Sequence, residues 1–251
     1  MSALPRAFVA RPLAHRGLHD RARGVIENSP AAFRAALAEG YGIECDVQLS
    51  SDGQAMVFHD EELDRLTAET GPVKARPAAE LGLIGLTGAT DTIPTLDAML
   101  ALVAGQVPLL IEIKDQSLVL GPTDGVLERA VARALDGYDG PVAVMSFNPH
   151  AVAAFHAAAP EVPVGLVTCD FAPDEWPGVP QARCADLVSM PDLGRVGACF
   201  ISHDRADLQA APVAAAKAAG HTILCWTVRS LDQERAAREI ADNITFEGYR
   251  A

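Results

Sequence analysis

Gly42-Ile43-Glu44-Cys45-Asp46-Val47-Gln48-Leu49-Ser50-Ser51-Asp52-Gly53-Gln54-Ala55-Met56-Val57-Phe58-His59-Asp60 is the stretch around which the chain is organised. Glu44 and Asp46 stand two apart in a β-rich run, so a strand turns both carboxylates to one face and Cys45 to the other. Ser51-Asp52-Gly53-Gln54 carries a tight-turn signal. Folding back there sets opposite each other residues whose numbers add to about 105, which places His59 across from Asp46. Two carboxylates and an imidazole then converge on one point.

Before this stretch, Leu13 and Ala14 close a short apolar strand that runs into His15-Arg16-Gly17. Ser29 as cap, Pro30 at the first helical position and Gly40 as stop bound a helix. With the Glu44/Asp46 strand these form a βαβ unit. Residues 61–93 are polar and irregular and read as a short insertion or lid. Beyond Pro94, strands are expected at 107–114, 142–147, 162–168, 186–190, 222–228 and 243–246, with helices between them.

The strand count decides the fold. A parallel crossover needs a dozen or more residues, and far fewer separate Leu49 from Ala55. Residues 47–59 are therefore a hairpin extending the second strand, which leaves eight β/α units. The expected fold is a TIM (β/α)8 barrel with a small insertion after the second strand, residues 1–251 forming one domain. His15, Glu44, Asp46, Glu112, Lys114 and Phe147 then fall at the C-terminal ends of strands, where such barrels do chemistry.

Composition narrows the function. Hydrophobic residues make up 49% and charged residues 21% of 251, which fits a folded globular chain. The net charge of −13 repels nucleic acid and anionic membrane surfaces, so neither is an expected partner, and an anionic substrate needs a local exception. Five scattered cysteines without a C-x-x-C, and no apolar signal segment or 18-residue apolar run, fit a reducing cytoplasm and no stable membrane association.

Glu44, Asp46 and Glu112 offer only oxygen from neighbouring strand ends. Three such charges in one mouth call for a cation, and hard oxygen ligation suits Mg²⁺ or Ca²⁺ rather than zinc. His15 and His59 beside them have the titration range of a general acid and base. Arg16 and Lys114 supply the exception that a phosphate needs. With no glycine-rich nucleotide loop, G-x-S-x-G elbow or Cys/His metal spacing, the pattern points to metal-assisted attack on a phosphodiester.

His15-Arg16-Gly17, Glu27-Asn28, Glu44-x-Asp46, His59-Asp60 and Glu112-x-Lys114, in that order, resemble the glycerophosphodiester phosphodiesterase family. Ser146-Phe147 and Trp226-Thr227-Val228 are weaker marks of the same likeness. The resemblance implies His15 and His59 as the acid/base pair and Glu44, Asp46 and Glu112 on one divalent cation, Mg²⁺ or Ca²⁺. It further implies Arg16 and Lys114 on the phosphate, Phe147 and Trp226 beside the glycerol, and a small-molecule glycerophosphodiester such as glycerophosphocholine or glycerophosphoethanolamine as substrate. Cleavage of lysophospholipid or sphingomyelin in the manner of phospholipase D, and a non-catalytic phosphate-binding barrel, are the competing readings. The chain departs from the family pattern at Ser29-Pro30 and at Thr245-Phe246-Glu247-Gly248, the latter touching the alcohol side of the pocket.

Overall fold

The computed structural model describes residues 3–251. Eight parallel strands close into a barrel. They are β1 (Leu13–Ala14), β2 (Gly42–Leu49), β4 (Leu109–Ile113), β5 (Val142–Ser146), β6 (Val164–Thr168), β7 (Phe200–Asp204), β8 (Thr222–Val228) and β9 (Asn243–Phe246). Closure is made by β1, which pairs on one side with β2 and on the other with β9. The short β3 (Ala55–Val57) is antiparallel to β2 and lies outside the ring.

The helices are α1 (Ala7–Ala10), α2 (Pro30–Glu39), α3 (Ala78–Leu81), α4 (Leu96–Val103), α5 (Val126–Leu135), α6 (Pro149–Ala158), α7 (Gln181–Val188), α8 (Ala211–Ala218) and α9 (Leu231–Ala237). The α2 boundaries follow their local chemistry. Ser29 Oγ accepts from the Ala32 amide, Pro30 opens the helix, and Gly40 closes it at φ 68°. Such a cap contributes about 1 kcal/mol.

Alternation along the strands builds two apolar layers. Cys45, Ile111, Val144 and Ile201 point outward into the layer shared with the helices. Leu13, Leu110, Ala143, Met145, Val167, Phe200 and Leu224 fill the barrel interior, with Phe8 of α1 joining them. A Cβ at Gly165 would lie 2.4 Å from the Phe200 ring, so the glycine makes room for that aromatic at the barrel centre. The lower interior is therefore solid, and chemistry is confined to the upper rim.

Three sequence expectations change. The hairpin pairs Val47 with Val57, Gln48 with Met56 and Leu49 with Ala55, so Asp46 faces Phe58 rather than His59. The loop spans residues 50–54, where Ser50 closes onto Gln54 on both sides, which sets the register one residue short of the expected one. The strand expected at 186–190 lies largely within α7, whose buried Cys184 and Leu187 have helical spacing. The missing strand is β7, a short run of Phe200, Ile201, Ser202, His203 and Asp204 whose polar end hides its burial.

Residues 61–93 do form an insertion between the hairpin and α4, and the segment has a packed interior. Leu63, Leu66, Val73, Leu81, Ile84, Leu86 and Ile93 cluster against Met56 and Phe58 of the hairpin arm.

Candidate active site

The upper rim gathers a run of alternating charges. Glu44 and Asp46 rise from β2 and Glu112 from β4, where Asp46 and Glu112 are register partners. Each offers an oxygen within 4.8 Å of the other two, and all three side chains are buried. Lys114, one step beyond β4, sets its Nζ 2.9 Å from Asp46 Oδ1 and 2.8 Å from Glu112 Oε1.

Arg16 lies on the other side of Asp46. Its backbone amide donates to Glu44 Oε2 at 2.9 Å and its Nη1 to Glu27 Oε1 at 2.6 Å. Its Nε stands 3.3 Å from Asp46 Oδ2 but off the hydrogen-bonding direction, and no other group takes that buried donor. Asn28, buried at φ 55°, donates Nδ2 to Asp46 Oδ2 at 2.9 Å and accepts the Asp46 amide at 3.3 Å. Hydrogen bonds to a charged group contribute roughly 1.5–3 kcal/mol each, so Asn28 fixes the carboxylate firmly.

Burial and neighbouring charges shift Glu44 and Asp46 in opposite directions. Burial pushes Glu44 well above the ordinary carboxylate range, and the charges of Asp46 and Glu112 add to it. Burial also pushes Asp46 upward, but the charges of Lys114, His59 and Arg16 outweigh it and hold Asp46 well below that range. Three carboxyl groups meet there within 4.8 Å of one another, and their donors are all oxygen. That set fits a hard divalent cation, and Glu44, Asp46 and Glu112 are the residues that could hold one.

The histidines reach the rim from different elements. His15, just past β1, turns Nε2 to within 4.0 Å of Glu44 and Nδ1 onto Glu247 at 2.5 Å. Burial lowers the His15 pKa, partly offset by the Glu247 hydrogen bond, and the Arg16 charge lowers it further. Glu247, half covered by its surroundings, is held well below the carboxylate range. Burial alone would raise it, yet the hydrogen bond to His15 and the nearby His19 and Arg229 prevail. His59 follows the hairpin arm where the ladder has ended, its carbonyl accepting from Gln48 Nε2 at 3.1 Å. Its Nδ1 meets Asp60 at 2.7 Å. Asp60 pairs with Arg65, Arg65 with Glu27, and Glu27 with Arg16, so the two histidine neighbourhoods are joined by ion pairs.

His59, Glu112, Lys114 and Phe147 line a cleft of about 560 Å³, with Trp176 on its far wall. Phe147 meets Trp176 edge-on at 4.9 Å and Trp226 at 5.6 Å. Trp226 is held by its Nε1 bond to the Ser202 carbonyl and stands behind Phe147 rather than on the cleft wall.

The structure therefore brings together His15, Arg16, Glu44, Asp46, Glu112 and Lys114, with His59 at the same mouth. Sequence reasoning assigned no role to Asn28, Glu27, Asp60 and Glu247, although each adjoins or lies within a quoted motif. It also set His19 aside, yet His19 Nε2 stands 3.5 Å from Glu247 Oε2. Trp176 and Arg65 lie in irregular segments, and no spacing signal marked them.

Known proteins resemble the chain in sequence and in fold. The sequence profile of the glycerophosphoryl diester phosphodiesterase family matches residues 15–242. A glycerophosphodiester phosphodiesterase of Caldanaerobacter subterraneus is 34% identical over 164 residues, which cover 62% of this chain and 65% of that relative's length. The matched stretch thus spans less than two thirds of that relative. Among solved structures, an Oleispira antarctica phosphodiesterase in complex with the product sn-glycerol-3-phosphate superposes with a TM-score of 0.76 at 24% identity. The match covers 96% of this chain and 94% of that one. A glycerophosphodiester phosphodiesterase from Agrobacterium tumefaciens gives 0.70 at 24%, covering 94% and 95%. At these identities the structural likeness concerns the barrel.

Proposed function

The chain belongs to the glycerophosphoryl diester phosphodiesterase family, and we propose that it hydrolyses water-soluble glycerophosphodiesters to glycerol 3-phosphate and an alcohol. Glycerophosphocholine and glycerophosphoethanolamine are the substrates in view. The observation that carries this reading is the joining of a buried carboxylate trio, two flanking cations and two histidines at one rim.

A divalent cation, Mg²⁺ or Ca²⁺, held by Glu44, Asp46 and Glu112 would supply Lewis-acid polarisation of a phosphoryl oxygen. The rest falls to side chains. The unpartnered Arg16 Nε and the Lys114 ammonium bind the phosphoryl oxygens and offset charge as it builds in the transition state. His15 and His59 form the acid/base pair. One takes a proton from the attacking hydroxyl, and the other gives one to the departing alkoxide. Glu247 and Asp60, each on an Nδ1, leave the Nε2 atoms for that exchange. Phe147 borders the glycerol, backed by Trp226.

We take residues 1–251 as one catalytic domain that works in the cytoplasm without stable membrane association. No helix among the described residues is long and apolar enough to cross a membrane.

The deciding assay is glycerophosphocholine hydrolysis with Mg²⁺ or Ca²⁺, a chelator control, and His15→Ala and His59→Ala. Each variant should lose about 10²–10⁴-fold in kcat. Wild type inert with every divalent cation, or variants that keep full activity, would overturn the reading. Turnover of micellar lysophospholipid in place of the soluble diester would shift it to the lipid substrate.

A further inference from the structure

His15, His19 and Glu247 form a second group of ligand atoms within 4.8 Å of one another, separate from the oxygen-only trio. We propose that these three side chains bind a zinc ion, and that zinc there inhibits the enzyme.

The donor set differs in kind from the first. Two imidazole nitrogens and one carboxylate oxygen are a zinc set, and they suit Mg²⁺ and Ca²⁺ poorly. His19 Nε2 is a buried nitrogen with no hydrogen-bond partner. It faces Glu247 Oε2 at 3.5 Å, close to the ligand–ligand spacing of a tetrahedral ion with bonds of about 2.0–2.1 Å. His15 Nδ1 meets the same oxygen across a short hydrogen bond, and its proton would leave as the metal enters.

The surroundings support the site. Arg229 Nε holds the other Glu247 oxygen, Oε1, at 2.8 Å, which turns Oε2 toward the two imidazoles. A cleft of about 700 Å³ lined by His19, Asp20, Glu247 and Tyr249 gives entry apart from the walls of the catalytic cleft. Three protein ligands leave a fourth position for water.

Inhibition follows from the atom used. With zinc on Nδ1, His15 cannot become the imidazolium that its acid/base role requires. This consequence rests on the proposed role of His15, whereas zinc binding does not.

The test separates the two. Purified protein is dialysed against Zn²⁺ in excess Mg²⁺, and retained zinc is measured by elemental analysis. Wild type should keep one zinc per chain that Glu112→Gln also keeps and that His19→Ala and Glu247→Gln each lose. No tightly held zinc in wild type, or loss in Glu112→Gln with retention in His19→Ala, overturns the proposal. In the hydrolysis assay, His19→Ala should need more than about tenfold more zinc for the same inhibition. Equal sensitivity of wild type and His19→Ala refutes the inhibitory role. The dialysis result stands even if no hydrolysis is found.

Discussion

Lys114→Met removes one charge from the centre of the acidic trio while nearly keeping the side chain's volume. Lys114 is only 15% exposed and bridges Asp46 and Glu112, which are 2% and 9% exposed. Its own pKa is raised, because the fields of Asp46 and Glu112 overcome the burial that would lower it. Breaking a buried pair by deleting one partner costs about 3–5 kcal/mol, since the stranded charges stay buried. For a chain of this size that corresponds to a fall in Tm on the order of 10 °C in chelator. Added Mg²⁺ or Ca²⁺ should then raise Tm more in the variant than in wild type, because the cation meets three carboxylates with no competing ammonium. Activity should fall about 10²–10³-fold even with metal restored, as the donor proposed for the phosphate is gone. Calorimetry with chelator and with each cation is the measurement. A variant that melts within a degree or two of wild type in chelator would refute the electrostatic account of this rim.

Asn28 gives a paired test. Asn28→Ala loses both bonds to Asp46 and also places a Cβ-bearing residue without a helpful side chain at φ 55°, whereas Asn28→Gly loses only the bonds. Asn28→Gly should be the more stable by about 1 kcal/mol in urea unfolding, and equal stabilities would dismiss the backbone strain. Glu27 titrates at about 2: burial would raise it, but the hydrogen bond from Arg65 and the Arg16 charge hold it down. Its stabilisation is therefore complete above the ordinary carboxylate pKa of about 4.5 and is lost as pH falls toward 2. The stability difference between wild type and Glu27→Gln should shrink over that window by up to roughly 3 kcal/mol, less for screening at the exposed Arg65. A difference that does not change with pH would sink that assignment.

The barrel was legible because its signals are local. The Ser29-Pro30 start, the Gly40 stop and the impossibility of a parallel crossover between Leu49 and Ala55 are short-range facts that tertiary packing had no reason to override. β7 was missed for the opposite reason. Ser202, His203 and Asp204 are polar, and only the neighbouring strands make them buried or half-buried. At the rim, residues that sit on strand ends could be placed from spacing. His59 reached the mouth although the register expected for it was off by one, because the chain leaves the ladder after Phe58. Glu247, His19 and Trp176 arrive from loops, whose course depends on contacts between segments far apart in sequence.

The insertion at 61–93 has a consequence for how this chain tolerates change. His59 and Asp60 stand at the doorway of a segment that packs its own apolar interior against the hairpin arm, while His15 is rooted in the barrel wall. The two histidines of the proposed acid/base pair are thus fastened to different bodies of side chains. Drift inside the insertion can re-aim one histidine and reshape the mouth while the eight-strand ring keeps its closure. The rim and its foundation can therefore be altered on separate schedules.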